Sequence, residues 1–229
     1  MANSNEQHYC MLPVPQASEG KTRAALLDET KWQPGTQIKV RFMEGDPALQ
    51  QRVAKVASEW TGPQMANLKL QFVTAGDGDI RIAFEQGNGS WSYLGTVCQQ
   101  IPVAEPTMNF GWLTPSSSDD ELRRVVLHEF GHALGLIHEH QNPRGPIKWN
   151  RAAVKADLSG PPNNWDDATI DNNIFKRYST QEVTGTSVDA DSIMMYPIPA
   201  AWTTDGFSAD LNAGLSDTDK KFIRKAYPW

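Results

Sequence analysis

Thirteen residues, HEFGHALGLIHEH at 128–140, hold four of the chain's five histidines, and their spacing limits what this segment can become. His128 and His132 stand four apart, so on a helix their imidazoles share one face, about one turn from each other. The upstream run SSSDDELRRVVL predicts that helix. Ser118 with Glu121 three residues on reads as a capping box, Asp119 and Asp120 suit the positive end of the helix dipole, and Gly135 suits a left-handed stop, giving a helix from about Asp119 to Leu134. Leu122, Val125, Val126, Leu127, Phe130, Ala133 and Leu134 point nearly all round it, so it belongs against a sheet and out of solvent. Histidines on a buried helix need partners.

Two imidazoles one turn apart suit a shared Zn2+. Glu129 stands beside the first, placed to take a proton from a water at the metal without being a ligand itself. A third ligand cannot continue at helical spacing, because a tetrahedral ion needs an approach from another direction. The chain turns at Gly135, and three residues on comes His138. His140 is the surplus histidine. It is an alternative third ligand, but its distance from Gly135 is two residues longer.

Length and charge narrow the class of protein around this centre. With 229 residues, 39% of them apolar and 21% charged, the chain can bury a core in one domain or two closely packed halves. A net charge of −6 argues against nucleic acid, whose binders need dense Lys and Arg to displace counterions. No apolar run approaches the roughly 20 residues that cross a bilayer, so no membrane association is expected. The N-terminal MANSNEQHYCMLPVP shows no signal-peptide pattern.

Residues 1–30 are polar and proline-containing and read as an extension or wrapping arm outside the main core. Residues 31–229 read as one domain, its upper half running to about 138 and its lower half covering 139–229. IKVRFM (38–43), LKLQFV (68–73) and DIRIAFE (79–85) alternate like half-buried strands. SWSYLGTV and PTMNFGWL supply two more. GDPALQQRVAKVASEW forms a helix opened by Asp46 and Pro47, with Leu49, Val53, Val56 and Trp60 on its apolar face. The expected fold class is therefore α+β: a twisted mixed sheet of about five strands with two long helices. A smaller, irregular lower half follows. In it a helix is expected over Trp165–Phe175, opened near Asn163 or Asn164. A last helix is expected from Ser216, with Phe222, Ile223 and Tyr227 packing on the lower half.

His128, Glu129, His132, Gly135 and His138 complete the pattern HExxHxxGxxH, which resembles the long zinc motif of the metzincin metallopeptidases. DSIMMYPIP resembles the methionine turn of that class in its Ser-x-Met-x-Tyr form, placing the turn methionine at Met194 and a tyrosine at Tyr196. Glu139 after the third histidine, together with SWSYLG, makes the resemblance closest to the astacins, over roughly residues 32–227. It implies a cleft between the two halves and a zinc-dependent endopeptidase with one Zn2+. Glu129 would be the general base and Tyr196 a hydrogen-bond donor to the developing oxyanion. Peptide substrate would lie along an edge strand, with Ser90, Trp91, Ser92 and Tyr93 as the binding residues. A monomer acting on protein or peptide outside the cell is what the kinship implies, with a cytoplasmic enzyme as the alternative.

The departures from that family carry information too. Met195 replaces a histidine within the methionine turn, and no Lys or Arg occurs between Met194 and Lys220, so the family's preference for acidic substrate residues is not expected here. Only Cys10 and Cys98 are available for a disulfide. Cys10 has three readings: a disulfide to Cys98, a buried free thiol, or a latency switch that fills the open zinc position, as a propeptide cysteine does in the matrixins. Two other functions stay open at this stage: a zinc-binding recognition module without catalysis, and a hydrolase of a non-protein amide.

Overall fold

The computed structural model describes residues 8–13, 30–145, 147–178 and 188–229. Five strands form one sheet: β1 (Gln37–Phe42), β2 (Lys69–Val73), β3 (Ile80–Ala83), β4 (Ser90–Ser92) and β5 (Met108–Phe110). Their order is β2-β1-β3-β5-β4. β1 pairs in parallel with β2 and β3, and β3 with β5, while β4 closes the row as an antiparallel edge. The alternation in IKVRFM sets which side chains face the core, since Ile38 and Val40 are fully buried beneath the sheet.

Two long helices cover that buried face. α1 (Pro47–Ala57) is capped by Asp46, whose side chain accepts from the Ala48 and Leu49 amides at 2.8 and 3.3 Å. α2 (Asp119–Ala133) carries the zinc motif. Trp60, just after α1, donates its indole N–H to the Leu127 carbonyl at 2.9 Å and so ties the two helices together inside the core. Gly135 follows α2 with φ +90, the left-handed turn a side chain would resist.

The lower half contains α3 (Arg151–Leu158), the short α4 (Asp167–Ile170) and α5 (Asp217–Ala226). Its apolar cluster of Val154, Leu158, Trp165, Ile170, Ile174, Tyr196, Ile198 and Trp202 is separate from the core of the upper half. No described helix is long and apolar enough to cross a membrane.

Four expectations are corrected. Only half of the capping box forms at α2: Ser118 accepts from the Glu121 amide at 3.2 Å, but the Glu121 carboxylate turns instead to the Trp112 indole at 2.7 Å and to Arg124. The expected helix over Trp165–Phe175 is α4 followed by a single wide turn, Asp171–Phe175, and its cap is Asp166, which accepts from Thr169 N at 2.7 Å. Asn163 holds the N-terminal arm instead. α5 forms the full capping box of Ser216 and Asp219, yet Ile223 and Tyr227 enter the upper core. Tyr227 is drawn there because its hydroxyl donates to the Leu134 carbonyl at 2.8 Å, satisfying a group left bare at the end of α2. Finally, residues 8–13 do not lie outside the core: they thread between the halves, with Tyr9 and Cys10 only 6% and 3% exposed. The remainder of the expected extension, 1–7 and 14–29, lies outside the described residues.

Candidate metal centre

α2 projects His128 and His132 from one face, and the turn at Gly135 brings His138 back toward them. One ring nitrogen from each of the three lies within 4.8 Å of the other two, and all three residues are buried. His128 Nδ1 bonds to the Ile193 carbonyl at 2.8 Å and His132 Nδ1 to the Leu136 carbonyl at 2.7 Å. A carbonyl only accepts, so both Nδ1 atoms carry the proton and both Nε2 atoms present lone pairs. His128 Nε2 is buried with no hydrogen-bond partner. His132 Nε2 lies 3.0 Å from His138 Nε2. Converging lone pairs in a dry site repel unless a cation lies among them, and neutral imidazole is a preferred ligand of Zn2+. Burial holds all three imidazoles neutral, lowering His132 to about 4 and the others well below the usual range. The donor set therefore fits a zinc ion.

His140 is not part of the cluster. Its Nε2 binds the Asn173 carbonyl at 2.8 Å, and its ring stacks 5.3 Å from that of His138. Glu129 is fully buried beside the Cys10 thiol, and neither carboxylate oxygen completes a hydrogen bond of good geometry. Burial pushes its carboxyl up to about 8, and a divalent charge at the imidazoles favours the ionised form. The Tyr196 ring lies 4.4 Å from that of His138. Burial holds its hydroxyl well above the usual range, so it stays a donor.

The methionine turn sits under this group. Met194 packs directly on Gly131 of α2, where an added Cβ would collide with its sulfur. The Met194 carbonyl accepts from Glu139 N at 2.9 Å, and Asp219 of α5 pins the turn by accepting from Ser192 Oγ at 2.7 Å and Ile193 N at 2.9 Å. The Glu139 carboxyl is raised by burial and binds Asn142 Nδ2 and Asp189 N at 3.1 and 3.2 Å. On the opposite rim, the backbone of Ser90 and Trp91 runs along the outer edge of β4; Ser90 and Ser92 are buried, Trp91 is half-buried, and Tyr93 donates its amide to Thr107 O at 3.0 Å.

The free edge of β4 is taken by the chain itself. Met11 donates its amide to Ser90 O at 2.9 Å and pairs in parallel with Trp91. Two asparagine side chains hold the other side: Asn163 Oδ1 accepts from Tyr9 N at 3.1 Å, and Asn173 Oδ1 from Leu12 N at 2.9 Å. Sequence reasoning missed both asparagines, which look like ordinary caps until the arm is set against them. Between these contacts Tyr196 donates its hydroxyl to the Cys10 carbonyl. Cys10 and Cys98 are free, buried thiols in different clusters, so the expected alternative of a disulfide is not formed.

The fold and this centre together are those of a metzincin-class zinc metallopeptidase. Residues 25–227 match the family model for the Astacin peptidases, and the chain belongs to that family. Over 120 residues, half of this chain, it is 30% identical to Protein SpAN of Strongylocentrotus purpuratus, and that match spans only 16% of SpAN. A structure of myroilysin is similar at 47% identity, with a TM-score of 0.85, covering 89% of this chain and 98% of that one. A crystal structure of myroilysin is similar at 43% identity and a TM-score of 0.71, covering 96% and 90%. High choriolytic enzyme 1, a hatching enzyme zinc-protease from Oryzias latipes (Medaka fish), shares the fold at 17% identity and a TM-score of 0.57, covering 86% and 94%.

Proposed function

We propose that this chain is a zinc-dependent endopeptidase whose N-terminal arm holds it latent, with Cys10 placed to fill the metal position that substrate needs. The observation that supports this most directly is the position of Cys10. Its thiol lies at the Glu129 carboxyl, and its carbonyl takes the Tyr196 hydroxyl. Its neighbour Met11 occupies the strand edge along which a peptide would pair.

His128, His132 and His138 would hold the ion, which when bound supplies a Lewis acid that polarises a peptide carbonyl and acidifies water. Glu129 accepts the proton of the attacking water and returns it to the leaving amine. Tyr196 donates to the carbonyl oxygen as negative charge builds there. Ser90 and Trp91 bind the substrate main chain from β4, whose end leads into Ser92 and Tyr93. Main-chain pairing reads any extended peptide, so action on many proteins follows. We place the enzyme outside the cell as a monomer, on family kinship; fractionation and sedimentation test these two points.

A mixed peptide pool incubated with zinc-loaded protein, with and without chelator, tests the activity by the cuts found in mass spectrometry. Full-length Cys10→Ala should cut at least tenfold faster than the unaltered chain with the same zinc content. Equal rates would remove Cys10 from the latency role. Glu129→Ala should keep its zinc and lose nearly all turnover, and a variant that still cuts would demote the base.

A further inference from the structure

We infer that the cavity filled by the Tyr9 side chain is a specificity pocket of the cleft, and that it selects substrates with an aromatic residue, tyrosine above all, beside the residue that carries the scissile carbonyl. The inference rests on the peptidase reading and adds the substrate class to it. The Cys10 carbonyl receives the Tyr196 hydroxyl, the same contact assigned above to a scissile carbonyl, so Tyr9 stands one residue from the reacting position. Its ring stacks on Trp202 with centroids 5.3 Å apart and meets Tyr196 and Trp165 edge-on at 5.4 and 6.4 Å. At the bottom its hydroxyl donates to the Pro197 carbonyl at 3.1 Å.

The walls have anchors of their own. Trp202 is fixed by an indole N–H donated to Asp157 Oδ2 at 2.6 Å, and it is itself buried. Met195, in place of the family's histidine, adds a polarizable apolar surface to the same cluster. The pocket does not suit an acidic side chain. Asp157 puts a carboxylate behind Trp202, the 195–219 segment has no Lys or Arg, and the nearby Arg124 is engaged by Glu121 at 2.6 and 3.0 Å. A phenol ring recovers both the stacking and the Pro197 hydrogen bond. A phenylalanine ring recovers only the stacking, leaving the half-buried Pro197 carbonyl without its donor.

Full-length Tyr9→Ala opens the cavity, and p-cresol, the tyrosine side chain as a free molecule, is the probe. It should raise the melting temperature of Tyr9→Ala and change its tryptophan fluorescence, do neither to the unaltered chain, and lose both effects when Trp202→Leu is added. Acetate should do nothing. Cleavage profiling of zinc-loaded Tyr9→Ala and Cys10→Ala should show tyrosine, then other aromatics, enriched about 10–100-fold over acidic residues at the position beside the residue that carries the scissile carbonyl. No cresol effect on folded Tyr9→Ala, or acidic or small residues enriched at that position, would overturn the inference. Should no variant cut, the peptidase reading fails and the cresol titration alone decides the pocket. Should Tyr9→Ala not fold, as judged by circular dichroism, the Cys10→Ala cleavage profile decides it.

Discussion

His138 and His140 are two residues apart and face different tasks, because the backbone between them turns one ring toward His132 and the other toward Asn173. His138→Ala should abolish stoichiometric zinc, while His140→Ala should keep it, as read by elemental analysis of the purified variants. Zinc lost only from His140→Ala would reverse the assignment. The three ligands were legible from sequence because a helix and one glycine turn fix their relation locally. Tyr9 was not, since its partners Trp165, Pro197 and Trp202 are more than 150 residues away along the chain.

Between elements, the contact of α2 with the methionine turn leaves no spare volume. Gly131→Ala would drive a Cβ into Met194 Sδ and set it 3.3 Å from the Trp60 ring. Overpacking at such a contact costs about 1–3 kcal/mol, partly offset by the roughly 1 kcal/mol that alanine gains over glycine in a helix. The variant should therefore melt a few degrees lower by calorimetry, and an unchanged or higher melting temperature would show that the turn yields. A second contact joins α2 to the loop after β5. Burial raises the Glu121 carboxyl, but the Arg124 guanidinium and the Trp112 indole outweigh it and leave it below the usual range. A group depressed in the folded state contributes stability above its unfolded pKa and loses it as pH falls through the folded value. Glu121→Gln should thus be less stable than the unaltered chain at pH 7, by about 1–2 kcal/mol, with the gap closing below the ordinary glutamate range near 4.5. Urea titrations between pH 7 and 3 check this, and a gap independent of pH would reject it. The expected capping box failed here for a tertiary reason: these two partners compete for the glutamate and win.

On the scale of the whole molecule, the centre spans the join between the halves, with two ligands on α2 and the third just beyond the turn that leads into the lower half. Whatever binds the folded chain and not the unfolded one stabilises it by mass action, about 2.7 kcal/mol at a hundredfold excess over Kd. Removing zinc with a chelator should lower the melting temperature by several degrees, and added zinc should restore it. A melting temperature blind to both treatments would mean that the three histidines hold no ion in the native protein.

The sequence by itself determined the elements and the chemistry that depend on short spacing. Alternation set the strands, Asp46 and Ser118 set where the long helices begin, and HExxHxxGxxH set the histidine cluster with Glu129 beside it, because each involves residues within a few turns of one another. Tertiary structure alone decided the rest. It placed α5 against the upper core, because the Tyr227 hydroxyl answers a carbonyl at the end of α2. It laid residues 8–13 through the cleft, because Asn163, Asn173 and the free edge of β4 offer the partners an extended chain needs. Those partners lie on segments far apart in sequence, and only the closing of the two halves brings them to one groove.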